Sequence, residues 1–278
     1  MWIDTHCHLD TPEFANHLSV VIRATAEKNV KAILLPAVKV ADCTHVKELT
    51  HQFSREIPGL VYTLGIHPLY TNKAKESDIE TLEKNIGESL SDPRFVGVGE
   101  IGLDYFVEDL DSHKQEFFFN AQLDLAQKYQ LPVILHVRCS QDMILKALRR
   151  RNIAGGIAHA FNGSFQQSEP FIELGFKLDF GGAATYERAL QIRRLLQELP
   201  LNSIVTETDS PDIPPAWLRE ERIACNEPVF LPRITKELAS IRGAEDIEFA
   251  AAVWGNAMQA LPRWSTLCAS SSNPHLAS

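Results

Sequence analysis

An eightfold alternation constrains this chain more than any other feature. Short apolar runs recur at 1–5, 32–38, 60–66, 95–103, 132–137, 156–161, 176–180 and 204–208. Longer stretches with helical periodicity lie between them, at 17–28, 41–56, 77–90, 113–129, 141–151, 165–174 and 188–198, and two more follow at 231–241 and 244–260. Near-continuous apolar runs are what strands need when helices cover both faces of a parallel sheet. Eight such strand–helix units predict an α/β fold of the (β/α)8, TIM-type barrel class, with an open doubly wound sheet as the alternative. The 278 residues, 45% of them hydrophobic, suffice for one barrel, which usually takes about 250 residues. There is no linker and no internal repeat, so residues 1–264 read as a single domain and the Ser-rich tail 265–278 as disordered. A Pro-rich stretch, 210–230, separates the last strand from its helix, and loops of that length in compact domains are usually functional.

The formal net charge of −9 argues against a protein that coats nucleic acid, because neutralising phosphates supplies most non-specific affinity. A nucleic-acid substrate would have to be gripped locally, by cations in the site and a few arginines. Cys7, Cys43, Cys139, Cys225 and Cys268 are widely spaced and include no C-x-x-C pair, a pattern of reduced thiols rather than of disulfides or a thiolate zinc site. The first residues lack the basic-then-apolar pattern of a signal peptide, and no apolar run approaches the roughly 18 residues that span a bilayer. The expectation is a cytoplasmic enzyme with no membrane association and no obligate protein partner.

The chemistry is written at the strand ends. Side chains alternate faces along a strand, so Asp4, His6 and His8 are expected on one face and the two imidazoles form a chelating pair. An isolated His-x-His is a weak signal, but it recurs in company: Glu100 ends the fourth run, His136 the fifth, His159 the sixth and Asp209 the eighth. Each polar group follows an apolar run, where it would be costly unless paired or ligated. The C-terminal ends of barrel strands are where active sites form. A single such histidine would be read as a satisfied core residue; six groups at five strand ends are read as ligands of one or two divalent cations. Nitrogen and oxygen donors without thiolate suit Zn²⁺, Mn²⁺ or Mg²⁺. Cys7 lies between the two histidines and is expected to pack on the opposite face.

The same residues resemble a known family. Asp-Thr-His-Cys-His-Leu-Asp, Gly-Ile-His-Pro, Gly-Glu-Ile-Gly-Leu-Asp-Tyr, His-Val-Arg, His-Ala-Phe-Asn-Gly-Ser, Glu-Thr-Asp-Ser-Pro and Asn-Glu-Pro follow one another between residue 4 and about residue 262. In that order they are similar to the TatD family of metal-dependent hydrolases. The resemblance implies a TIM-type barrel, two divalent cations and phosphodiester hydrolysis, with DNA or a small phosphodiester as substrate and a 3′–5′ exonuclease-like action. Carried over by motif, it implies that His6, His8 and Asp209 hold one cation, that Glu100 bridges both, and that His136 and His159 complete the second. Three positions depart from the family's pattern: Leu69 where a second histidine is frequent, Cys139 where an acid is frequent, and Ile223-Ala224-Cys225 where a basic cluster often precedes Asn-Glu-Pro. All three surround the substrate rather than the cations.

Two cations about 3.5–4 Å apart activate a water and steady both the phosphoryl and the leaving oxygen. Asp209 is placed to accept the proton of the attacking water, and Glu100 to bridge. His67 and Arg138 are the candidate substrate contacts, since guanidinium matches phosphate bidentately. Glu207 and Asp4 stand behind the ligands, Glu207 where it can orient a histidine N–H. Asp104 and Tyr105 extend the Glu100 strand, either toward substrate or into the following loop. Gly97 to Gly102 spells G-x-G-x-x-G but opens no helix, so a dinucleotide loop is rejected. Arg149-Arg150-Arg151 and Arg193-Arg194 read as solvated helix faces, and Phe117-Phe118-Phe119 as a helix packed on the barrel. The alternative reading is an amidohydrolase-like enzyme attacking a small ester, lactone or amide.

Overall fold

Eight parallel strands run in sequence order around one sheet: β1 (Trp2–Asp4), β2 (Val30–Pro36), β3 (Gly59–Leu64), β4 (Phe95–Asp104), β5 (Val133–Arg138), β6 (Gly156–His159), β7 (Phe176–Phe180) and β8 (Ile204–Thr206). The computed structural model describes residues 1–271. Helices follow the strands: α1 (Leu18–Glu27), α2 (Cys43–Gln52), α3 (Ser77–Ser89), α4 (Ser112–Tyr129), α5 (Gln141–Leu148), α6 (Phe165–Glu173), α7 (Leu190–Glu198), then α8 (Ala216–Glu220), α9 (Leu231–Arg242), α10 (Asp246–Ala260) and α11 (Pro262–Ser271). The chain is a single-domain TIM-type barrel, as the alternation predicted. The first and last strands meet where Thr5 N–H donates to Thr206 O at 3.1 Å, Asp209 N–H to His6 O at 2.9 Å and His8 N–H to Ser210 O at 2.8 Å.

Alternation divides the core in two. Ile33, Leu35, Leu60, Tyr62 and Leu135 face the helices, whereas Ile3, Ala32, Leu34, Val61, Val96, Ile134, Ile157 and Val205 fill the barrel interior. Above that apolar layer the inward positions turn polar, which sets the height of the site. β4 shifts register against β5 between Val98 and Ile101. Gly102 then lies at φ +154°, where a Cβ would meet His136 O at 2.0 Å. Only glycine permits that approach, and it brings β4 against the strand that carries His136.

Caps close several helices. Asp111 accepts from Lys114 N at the start of α4. Ser164, the last residue of the His-Ala-Phe-Asn-Gly-Ser motif, forms a reciprocal capping box with Gln167 on α6 and so fixes the loop after His159. The long loop after β8 contains α8 and is tied down by Asn226, whose Nδ2 donates to Thr208 O at 2.8 Å and Asp212 O at 2.7 Å. None of the helices among the described residues is long and apolar enough to cross a membrane.

The tail departs from expectation. Residues 265–271, expected without structure, continue α11, and 272–278 lie outside the described residues. The cause is Trp264: it is fully buried beneath the barrel with Ala257, Ala260 and Leu261, and its Nε1 donates to Gly59 O at 2.8 Å. Compositional bias after residue 264 hid the helix that this anchor starts. Replacing Trp264 by Ala is expected to destabilise the fold by about 3–5 kcal/mol, measured by urea denaturation. A loss below about 1 kcal/mol would show that this plug is dispensable.

Candidate metal centre

Seven polar side chains converge at the C-terminal mouth of the barrel, and Glu100 lies at their centre. Its Oε2 is 3.0 Å from His6 Nε2 and 3.7 Å from His8 Nε2. Its Oε1 is 3.0 Å from His136 Nδ1 and 3.2 Å from His67 Nε2. One carboxylate thus addresses two donor sets with its two oxygens. On the first side His6 Nε2 and His8 Nε2 are 3.2 Å apart, and Asp209 Oδ1 is 3.9 and 3.8 Å from them. On the second, His67 Nε2 and His136 Nδ1 are 3.0 Å apart. Donors on one cation with bonds of about 2.0–2.2 Å lie roughly 3.0–3.5 Å from each other, so the second set has the spacing of a metal shell, while the first is wider at Asp209 and between His8 and Glu100.

His159 occupies a position between layers. Its ring stacks on His6 with centroids 3.7 Å apart, Nε2 lies 3.8 Å from Asp209 Oδ2, and Nδ1 is 2.5 Å from Glu207 Oε2. The His159 and His136 rings are 6.3 Å apart. The sequence reading paired these two in one set; in the structure His67 is nearer to His136 than His159 is. The reason is local: His67 N–H donates to Val38 O at 2.9 Å, and its Nδ1 accepts from Leu69 N at 3.2 Å. Nε2 is thereby turned inward, a placement open both to a cation and to a bound phosphate.

The supporting carboxylates divide by what they hold. Glu207 reaches the imidazole of His159, the arrangement that fixes the tautomer and raises the basicity of a ligating histidine. Asp4 reaches backbone instead: Oδ1 accepts from Thr208 N at 2.9 Å and Oδ2 from Thr208 Oγ1 at 2.6 Å, and Oδ1 also takes His6 N–H at 3.3 Å. It therefore stitches β1 to the residue before Asp209 and does not join the imidazoles. Asp209 sits at φ 53°, a left-handed conformation that aspartate tolerates better than most side chains.

Two acids escaped the sequence reading in part or whole. Asp104 takes one of the two roles between which the sequence left a choice and adds one that it did not offer: Oδ1 accepts from Phe106 N and Val107 N, ordering the loop, while Oδ2 is 3.0 Å from His136 Nε2. Its parity with Glu100 along β4 was the available signal. Asp179, on β7, was not singled out. It is fully buried, accepts from Thr5 Oγ1, and lies near Glu207, whose charge adds to the burial that pushes its pKa up. An aspartate between Leu178 and Phe180 is the signal, since a buried acid needs a partner.

Burial and charge set the protonation states. Desolvation pushes His6 well down and His8 to about 4, leaving neutral imidazoles able to ligate. Burial also opposes charge on His136, but bonds to Asp104 and Glu100 outweigh it and lift the pKa to about 9. Burial works to raise Glu100, yet His67, His6 and His136 together hold it well below the usual carboxylate range. Desolvation raises Asp4 to about 7 and drives Asp209, Glu207 and Asp179 well up, with neighbouring carboxylates adding to it. With Asp104, six buried acids share this space without a buried lysine or arginine among the described residues. Divalent cations are the charge that would let them ionise together.

Above the acids opens a cavity of about 980 Å³. Arg138 stands at its rim, 3.8 Å from Asp104 Oδ2, with its guanidinium carbon 4.0 Å from the Phe106 ring centroid. Phe106 is 61% exposed and Leu69 40%. Both line the cavity, as does Cys139. Two of the three departures from the family's pattern, Leu69 and Cys139, therefore touch the substrate space.

Residues 3–262 match the family of TatD related DNase. The chain belongs to the TatD family of metal-dependent hydrolases. An uncharacterized metal-dependent hydrolase, YjjV, of Escherichia coli K12 is 34% identical over 256 residues, covering 92% of this chain and 95% of that one. The TatD-family barrel seen here is similar to the crystal structure of YjjV, with a TM-score of 0.86 over 94% of this chain and 98% of the other. A 3′-5′ ssDNA/RNA exonuclease TatD of Pantoea vagans is 30% identical over 260 residues, covering 91% of this chain and 96% of that one.

Two measurements follow from this geometry. Glu207→Gln should weaken divalent-metal affinity about 10–100-fold in calorimetric titration; unchanged affinity removes Glu207 from the support of His159. In metal-free protein, Asp4 keeps its proton to about pH 7 against an ordinary 3.8, and His136 to about pH 9 against 6.5. The folded state then binds more protons than the unfolded one, so stability falls as pH rises from about 6.5 to 9. His6 and His8, shifted downward, act in the opposite sense only below about 6.5. Saturating Mn²⁺ or Zn²⁺ replaces the protons and should flatten the profile of melting temperature, whereas a flat metal-free profile contradicts the assignment.

Proposed function

We propose that this TatD-family hydrolase cleaves phosphodiester bonds, acting as a 3′–5′ exonuclease-like deoxyribonuclease with two divalent cations. One observation carries the reading: Glu100 turns one oxygen to His6 and His8 and the other to His136 and His67. A carboxylate shared between two donor sets is the protein's part of a two-metal site, and such sites serve in-line displacement at phosphorus. The name of the Pantoea relative supports the same substrate class. Zn²⁺, Mn²⁺ or Mg²⁺ held by His6, His8, Glu100, Asp209, His136 and His159 would supply an activated water and neutralise charge on the phosphoryl oxygens.

The chain's own residues do the rest. Asp209, buried and raised by its surroundings, is the proton acceptor at the attacking water. Glu207 holds the Nδ1 side of His159, so that Nε2 faces the reaction. Arg138 lies over the Phe106 ring, which keeps the guanidinium fork at the rim for a phosphate. His67, whose Nε2 is turned inward beside His136, is placed to hydrogen-bond a bound phosphate. None of the five cysteines forms a disulfide among the described residues, which suits the reducing cytoplasm.

The test is nucleotide release from 3′- and 5′-labelled single-stranded DNA with Mg²⁺, Mn²⁺ or Zn²⁺. Release should begin at the 3′ end, and Asp209→Asn should lower kcat about 10²–10⁴-fold. No release by metal-loaded wild type from DNA or from bis(p-nitrophenyl) phosphate would overturn the phosphodiesterase reading and leave a TatD-family hydrolase of other substrates.

A further inference from the structure

A second cavity, of about 640 Å³, opens beside the central one, and Asn162, Ala183, Gln191, Ile192 and Ile213 line both. Its chemistry differs from that of the central cavity, which Asp10, Glu100, Asp209 and Asp212 line. In a chain of net charge −9, no carboxylate lines this space, whereas Arg188 and Arg219 do. Their guanidinium carbons lie 5.5 and 5.7 Å from the centroid of the Tyr186 ring. Neither guanidinium makes a hydrogen bond or ion pair with a protein group among the described residues. The ring itself is fixed, because Tyr186 Oη donates to Pro214 O at 3.1 Å. Beside it Leu190, 75% exposed, is presented to solvent at the cavity wall.

A fixed aromatic ring, two arginines without a hydrogen-bond or ion-pair partner and an apolar wall are the parts by which proteins hold single-stranded nucleic acid. Bases stack on the ring without sequence preference, and the cations follow the backbone. We infer that the Tyr186–Arg188–Arg219 cavity binds the single strand that continues away from the scissile phosphodiester. This rests on the phosphodiesterase reading, and it adds the path of the strand outside the metal centre. The path is short. Tyr186, Arg188 and Arg219 also line a further cavity of about 900 Å³, but Glu187, Glu220 and Glu237 share that wall, so repulsion of phosphate ends the groove there.

Two sources of support can be separated. Arg188 projects from the loop between β7 and α7, and Arg219 from α8 in the long loop after β8; the last two βα loops thus build the groove together. Neither arginine touches the metal donors, so their removal should leave chemistry on a small diester intact. The run Arg193-Arg194 takes almost no part: Arg194 pairs with Glu198 at 2.8 Å, and Arg193 donates to Ala184 O at 3.1 Å.

The experiment measures the anisotropy of a fluorescein-labelled phosphorothioate dT12 on Mn²⁺-loaded full-length protein, alongside turnover of bis(p-nitrophenyl) phosphate. The Arg188→Ala/Arg219→Ala double variant should bind the strand about tenfold or more weakly with small-diester turnover unchanged. Each lost phosphate contact lowers the salt slope by about 0.7 for single strands, so the slope should drop by about 1.4. Tyr186→Phe keeps the stacking face and should bind within about twofold of wild type, whereas Tyr186→Ala should not. Equal affinity in wild type and double variant, wild type that fails to bind the strand, or duplex held as tightly as single strand would each overturn the inference. Strand binding that depends on both arginines, without hydrolysis of any diester, would sink the phosphodiesterase reading while leaving the groove in place.

Discussion

The structure depends on holding one ionised carboxylate at the mouth of a hydrophobic barrel. Glu100 is 1% exposed, and burial alone would neutralise it. Four imidazoles meet its two oxygens within 3.7 Å and keep it charged. Those imidazoles come from segments after β1 and β3 and from β5, so the whole parallel ring must close in register before the carboxylate is satisfied. Gly102 contributes by letting β4 lie against His136 O.

Around this centre the acids are layered. Asp4 spends both oxygens on Thr208 and thereby fixes the backbone from which Asp209 projects. Glu207 turns His159, and behind Glu207 the Asp179 carboxyl rests on Thr5. The links run from β8 through β7 back to β1, across the seam where the barrel closes. Closure of the sheet and alignment of the candidate ligands are therefore one set of hydrogen bonds, which places the candidate site on backbone held by the barrel's seam.

Substrate space is built from different material. Arg138 on Phe106 marks one side of the central cavity, and Tyr186 with Arg188 and Arg219 marks the adjoining one. All of these except Arg138 lie on loops or on the short α8. Loops can change residues without disturbing the barrel, which accounts for Leu69 and Cys139 departing from the family's pattern in the cavity wall while the candidate ligands are complete. An acidic protein can hold a polyanion by such local means, because screening confines each charge to about a Debye length, roughly 8–10 Å.

The sequence by itself determined the barrel and the identity of the polar residues at its mouth. Strand and helix lengths, apolar runs and polar strand ends are local patterns, and eight repeats of them leave few closed arrangements. Tertiary structure decided how those residues group. Whether His67 or His159 stands beside His136, and whether Asp4 reaches an imidazole or Thr208, depends on register shifts and loop turns that no single strand encodes. Asp179 was hidden because one buried acid in a strand shows no pattern until β8 brings Glu207 to it. The same holds for Arg188 and Arg219, 31 residues apart in the chain and joined only where two loops fold over Tyr186. Trp264 seats α11 under the barrel, where composition alone indicated a tail: a side chain's burial is fixed by what packs against it, and that is a property of the folded chain.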